Sequence, residues 1–366
     1  MTKVDDLSRS LAALDQDSTL IARRPLKKLA AEPEAVRHLL ERWRGEALKA
    51  GRRIKRVAVA FEAGRDGFWL ARWLRERGIE AHVIHPASVA VSREHRRAKT
   101  DRLDTELLMR AFLGWLRGER KHCQMCLVPS LADEDGRRPG REHEALTRER
   151  TRLVNRIKAT MGWLGIAGFN AKLRRATERL AELRTPDGLG IPPNTQAELR
   201  RAIERLRLIR QQIKEIETER LERLERTPAA KPQAAMLLLQ RIVGLGLETA
   251  DTLTNEVLLR DRRAVGRYGG ITGAPDESGA KRREKGLARA GNARVRQTMI
   301  QLAWRWLMFQ KDSALARWYR ERTENASKLV RKKMIVALAR KLLIALWRYV
   351  TDGVVPEGAV LRPAAA

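Results

Sequence analysis

Ser278 lies in the segment Gly269–Arg296, GGITGAPDESGAKRREKGLARAGNARVR, where a single hydroxyl precedes a dense run of cations. Lys281, Arg282, Arg283, Lys285, Arg289, Arg294 and Arg296 follow it, against one acid in that run, Glu284. A serine oxygen held among guanidinium groups could attack a phosphodiester. The cations would hold the phosphate and stabilise charge building on its equatorial oxygens. Gly269, Gly270, Gly273, Gly279, Gly286 and Gly291 predict a loop whose backbone can take positive φ and approach a ligand closely. The same residues also fit a basic loop that merely grips DNA or RNA, with Ser278 as one more phosphate contact.

A second set of groups is carboxylate. AKTDRLDTELL places Asp101 and Asp104 three apart at a helix start, where both can point to one side. Glu62 ends an apolar run at the kind of strand terminus where α/β folds build their sites. Three such acids could bind one or two Mg²⁺ ions, hard cations that take oxygen ligands and polarise a phosphate. Ordinary helix capping explains Asp101 equally well.

Two further patterns invite chemistry. IVGLGLETADTL, from Ile242 to Leu253, reads as helix, Gly-x-Gly turn, helix, with Gly244 and Gly246 at the turn. In a helix-hairpin-helix, the turn amides and the second helix's N-terminus receive a backbone phosphate. A tight turn between two helices is the plainer alternative. Cys123 and Cys126 form a lone C-x-x-C; zinc would need a second pair of ligands, and His122 and His143 supply no pattern.

The elements that must position these groups follow from apolar spacing. Arg56–Phe61 is a β-branched apolar run read as a buried strand, Asp66–Arg77 a helix, and Ala81–Ile84 a second strand. Thr105–Leu116 is a further helix, and residues 1–50 read as helical. Strand–helix–strand order predicts an α/β domain with parallel pairing. From about Glu142 to Arg226, apolar residues recur at helical spacing, broken by Thr185–Thr195. That predicts a long helical hairpin with a coiled-coil seam, either between subunits or within one. Val295–Phe309 and Leu329–Val350 are apolar-rich helices. The expected division is 1–140 (α/β), 141–230 (helical hairpin) and 231–366 (helical).

The chain has 366 residues, with 75 Lys and Arg against 45 Asp and Glu, a formal charge of +30. Such an excess selects a polyanion as partner. Cations interrupt Leu329–Val350, so it cannot span a bilayer, which argues against a membrane protein. MTKVDDLSRS lacks a signal-peptide pattern, and the cytoplasm is the expected compartment.

VAVAFEAGRDGFW, GIEAHVIHPASVAV, AKTDRLDTELL, IVGLGLETADTL and YGGITGAPDESGAKRREKGLARAGNARVR together resemble the DEDD–serine transposases of bacterial insertion sequences, the bridge-RNA-guided recombinases ("IS one-ten"). The resemblance runs over nearly the whole chain. It implies a RuvC-like N-terminal domain of the RNase H fold, with Glu62, Asp101 and Asp104 binding Mg²⁺. It also implies a C-terminal transposase domain with Ser278 as the nucleophile that links covalently to DNA phosphate. A structured guide RNA, target DNA and a homo-oligomer would be the partners, the carboxylates of one subunit meeting the serine of another. The chain departs from the family at its start. From Ser18 to Ala30, STLIA runs straight into RRPLKKLA, with no room for the hairpin that brings the first acid. Asp15 and Asp17 lie in a polar, helix-like context and do not inherit that role. The resemblance thus implies a sheet short of its first strand and a metal site short of one acid. A nucleic-acid-binding remnant that assembles without cutting is one alternative to a recombinase. A metal-dependent, junction-resolving hydrolase that ignores Ser278 is the other.

Overall fold

A computed structural model describes residues 11–14, 32–52, 54–62, 64, 68–85, 88–89, 101–228, 230–258, 265–266, 268–271, 273–278, 281–287 and 291–363. At 11–14, 101–105, 231, 258, 273–278 and 281–287 the description covers the backbone alone. The chain forms two compact units, Met1–Ala132 and Asp133–Ala366.

In the first unit, the three-stranded sheet has the order β1 (Leu11–Leu14), β2 (Arg56–Glu62), β3 (Glu80–Ile84). β2 and β3 are parallel, as strand–helix–strand order requires, and helices α1 (Pro33–Lys49) and α2 (Trp69–Glu76) flank them in sequence. Period-two alternation sorts the sheet's two faces. Val57, Val59, Ala81 and Val83 pack with α1 and α2 through Val36, Leu39, Leu70 and Leu74. Ala58, Ala60 and Ile84 pack with α3 (Asp101–Leu116) through Ala111 and Phe112.

β1 corrects the reading of residues 1–50 as helical. Leu11–Leu14 is a strand, antiparallel to β2, with Leu11 opposite Val59 and Leu14 opposite Arg56. A strand therefore does precede α1, but it runs against β2. Its Leu14 end lies at the opposite end of β2 from Glu62, about 20 Å away at the usual rise per residue.

The two cysteines straddle the sheet. The Cys126 N–H donates to the Val83 carbonyl at 2.7 Å, so residues 124–126 continue the sheet beside β3. Cys123 packs with the α3 face and Cys126 with the α1–α2 face. Thiols sent to opposite faces cannot share one ion.

α4 (Leu131–Gly136) leads into the second unit, which among the described residues is helical apart from one hairpin and isolated bridges. α5 (Arg138–Trp163) and α7 (Pro193–Arg226) lie against each other, with the short α6 (Ala176–Glu182) in their connection. Leu153, Ile157 and Met161 of α5 meet Leu199, Ala202, Ile203 and Leu206 of α7 in one buried cluster. Within the chain, the apolar faces of α5 and α7 are packed against each other. A separate core joins Leu224 to α8 (Lys231–Gln240), α9 (Leu247–Leu253), α10 (Ala293–Phe309), α11 (Ala314–Thr323) and α12 (Lys328–Asp352). Gly353, at φ 70°, ends α12 in the left-handed region that glycine adopts without strain. The chain beyond it returns to the α8–α9 turn. Val243 N–H donates to Val360 O at 3.1 Å, and Arg362 N–H to Arg241 O at 2.6 Å.

Candidate functional site

Ser278 is not in a loop. It is the last residue of β4 (Gly273–Ser278), paired antiparallel with β5 (Lys281–Leu287). The register sets Ser278 opposite Lys281, Glu277 opposite Arg282 and Asp276 opposite Arg283, with an irregularity between Gly273 and Pro275. The segment lacks apolar alternation and is glycine-rich and charged, which is why it reads as a loop. Cross-strand backbone bonds organise it instead. Lys281, Arg282, Arg283 and Lys285 belong to the β5 backbone; Arg289 lies outside the described residues.

Tyr268 and Asn292, which flank the hairpin in the chain, join a buried polar network that the sequence did not disclose. Its centre is Glu256, in a π-helical turn (Thr254–Leu258) that continues α9. The Glu256 side chain is 1% exposed. Arg141 of α5 grips it bidentately, Nε to Oε1 at 2.9 Å and Nη2 to Oε2 at 3.1 Å. Burial alone would raise the carboxyl's pKa. The Arg141 hydrogen bonds and the charges of Arg141, Arg137 and Arg294 outweigh it, holding Glu256 below the usual carboxylate range.

Arg294, expected as a phosphate contact, has partners within the chain. Its side chain is 13% exposed and its guanidinium faces inward. Nε pairs with Glu144 at 2.8 Å, Nη1 lies 3.5 Å from Glu256, and Nη2 donates to the Gly140 carbonyl at 2.7 Å and to Thr252 Oγ1 at 3.2 Å. Gly140 makes room for this: a Cβ there would lie 2.9 Å from both Arg294 Nη2 and Asp251 Oδ2. Alongside, His143 bridges two acids, with Nδ1 2.9 Å from Glu248 and Nε2 3.1 Å from Glu217. Arg220 of α7 reaches Glu248 at 3.3 Å and Asp251 at 3.7 Å. Sequence spacing alone could not find this network, because its members come from α5, α7, α9, the π-turn and α10.

The Gly-x-Gly turn is held by packing and by hydrogen bonds from outside it. Gly244 has φ 90°, and a Cβ there would lie 2.8 Å from Phe309. Gln310 Nε2 donates to Val243 O at 2.7 Å and the Val243 amide is already bonded to Val360, while Leu245 N–H bonds back to Ile242 O. Gly246 precedes α9, and Glu248 places an acid in that helix's first turn. α8 ends at Gln240 and α9 begins at Leu247, so Ile242 and Val243 belong to the connection between the helices and not to the first helix.

In the first unit, Glu62 is the exposed last residue of β2, in the same alternation as Ala58 and Ala60 and hence on the sheet face that α3 covers. Asp101 and Asp104 occupy the first turn of α3, with only their backbone described. Carboxylate oxygens are the donor type that a hard divalent cation takes. Among the described residues, no three His, Cys, Asp or Glu side chains gather as a metal cluster.

Residues 236–320, which hold the turn, the π-helical glutamate and the whole serine hairpin, match the transposase IS116/IS110/IS902 family. The chain is also 44% identical over 352 residues to y4rJ of Sinorhizobium fredii (strain NBRC 101917 / NGR234), a protein that bears a transposase name. The match spans 92% of this chain and 88% of that protein. The chain belongs to the IS116/IS110/IS902 transposase family. Membership implies DNA as a partner, in line with the +30 charge. Among the described residues, no helix of this transposase is long and apolar enough to cross a membrane.

Proposed function

We propose that this transposase cuts and rejoins DNA strands with Ser278 as nucleophile, in the cytoplasm and guided by a structured RNA. Attack by Oγ on phosphorus forms a serine–DNA phosphodiester and expels the DNA hydroxyl; a second hydroxyl then reverses the step and frees the serine. Lys281, Arg282, Arg283, Lys285 and Arg289 hold the phosphates, while the Gly244–Gly246 turn lies beside the DNA backbone. Arg294 instead supports the hairpin from inside. Glu62, Asp101 and Asp104 of a RuvC-like domain hold Mg²⁺, which when bound neutralises phosphate charge. A homo-oligomer brings the acids of one subunit to the serine of another.

One observation carries the reading: β4 ends at Ser278 in a hairpin flanked by Tyr268 and Asn292, which bond the buried Glu256 within the family-matched segment, while Arg141 from outside it pairs with that carboxylate. Order of that kind suits a group that must be aimed. The test is covalent trapping on DNA with bridging phosphorothiolates, followed by mass spectrometry. Phosphate on Ser278, lost in Ser278→Ala, is expected. Cleavage that persists in Ser278→Ala would overturn the serine route in favour of a metal-dependent hydrolase.

A second reading, a nucleic-acid-binding protein that no longer cuts, draws support from β1. β1 pairs with β2 as the edge strand of the sheet, and its four residues, LAAL, bring no acid to join Glu62. Protein that shifts DNA in a gel with Mg²⁺ present, yet leaves every strand whole, would favour this reading.

A further inference from the structure

Tyr268 and Asn292 bracket the serine hairpin in the chain, and hydrogen bonds close the neck between them. The Asn292 N–H donates to Tyr268 O at 2.6 Å, and Asn292 Nδ2 donates to Tyr268 Oη at 3.1 Å. Both side chains then reach the same oxygen, Glu256 Oε2: Asn292 Nδ2 at 3.1 Å and Tyr268 Oη at 3.3 Å. Asn292 Oδ1 meanwhile accepts from the Arg294 and Val295 amides, capping α10. The residues that flank the hairpin on either side, a helix start and one buried carboxylate are thus tied together.

Two features mark Glu256 as more than filler. A buried charge persists only when its partners are in place, so the ionised carboxylate and Arg141 lock each other's positions. The glutamate also sits in a π-helical turn, a rare conformation that recurs at functional sites.

We propose that Glu256 is a positioning residue for strand transfer: through Tyr268 and Asn292 it fixes the direction in which the hairpin presents Ser278. This rests on the reading of Ser278 as the nucleophile. Glu256 touches no reacting atom. Its influence comes from leverage. A six-residue strand such as β4 is about 20 Å long, so a tilt of about 5° at the neck moves its far end by roughly 1.7 Å. A misplacement of about 1 Å can cost ~10²-fold in rate.

The experiment uses the full chain, RNA transcribed from the DNA flanking its gene, and phosphorothiolate DNA copied from that flank. Adduct formation is followed at rising DNA concentration for wild type, Glu256→Gln and Tyr268→Phe. Hydrogen exchange is measured at the amides of residues 273–287. The expected result is a fall in saturating adduct rate, ~10²-fold in Glu256→Gln and about tenfold in Tyr268→Phe, with half-saturating DNA unchanged. Hairpin exchange should quicken in both. Tyr268→Phe removes only a hydroxyl and carries the test if Glu256→Gln fails to fold. A wild-type rate in Tyr268→Phe, or a loss that appears only in DNA affinity, overturns the proposal. If wild type forms no serine adduct, the nucleophile reading fails, and exchange alone decides about the neck. Unchanged exchange in the variants would then refute the neck.

Discussion

His143 shows how one side chain records its surroundings. It is 12% exposed and lies between Glu248 and Glu217, whose hydrogen bonds raise its pKa against the opposing effect of burial; Arg220 nearby also opposes protonation. A group whose folded pKa is raised adds stability that is fully present below its unfolded value, near 6.5, and is lost as pH climbs through the raised value. The melting-temperature gap between wild type and His143→Gln should therefore be widest near pH 5.5 and shrink as pH rises above neutrality. A gap that stays constant would mean that protonation does not contribute. Arg294 teaches the complementary lesson. Its sequence neighbours are cations, so it reads as part of a phosphate-binding run, yet its acids Glu144 and Glu256 come from other elements. A linear charge pattern counts cations without disclosing which are already paired.

Elements were legible where burial imposes a period and obscure where it does not. β2 and β3 announced themselves because both sheet faces are covered, giving continuous apolar runs. The α5–α7 hairpin was legible for the same reason, and its seam makes a prediction. Ile203 is fully buried between the helices, whereas Leu208 is 55% exposed. Ile203→Ala should cost about 2–5 kcal/mol in urea unfolding, and Leu208→Ala within about 0.5 kcal/mol. Equal costs would mean that Ile203 is not buried against α5 as the structure has it. β1 was misread because four residues, LAAL, suit a helix as readily as a strand, and only pairing with β2 decides. The serine hairpin was misread because GAPDES and KRREKGL carry little β-propensity; their order comes from the register. The π-turn that seats Glu256 has no sequence signature at all.

At the scale of the molecule, charge dominates recognition. With an excess of 30 cations, DNA affinity should fall about a thousandfold or more between roughly 50 and 200 mM salt if six or more phosphates are contacted. Fluorescence anisotropy would measure the slope, and a flat response would contradict phosphate-led binding. The folded unit also reaches well past the stretch that family matching recognises. Glu256 depends on Arg141 upstream, and the Val243 amide on Val360 downstream, both outside residues 236–320. An excised piece trimmed to those limits would hold a carboxylate stripped of its main counter-ion, a penalty on the order of 3–5 kcal/mol. Anyone wishing to graft this serine hairpin onto another scaffold would have to carry along α5 at one edge and the strip through Arg362 at the other.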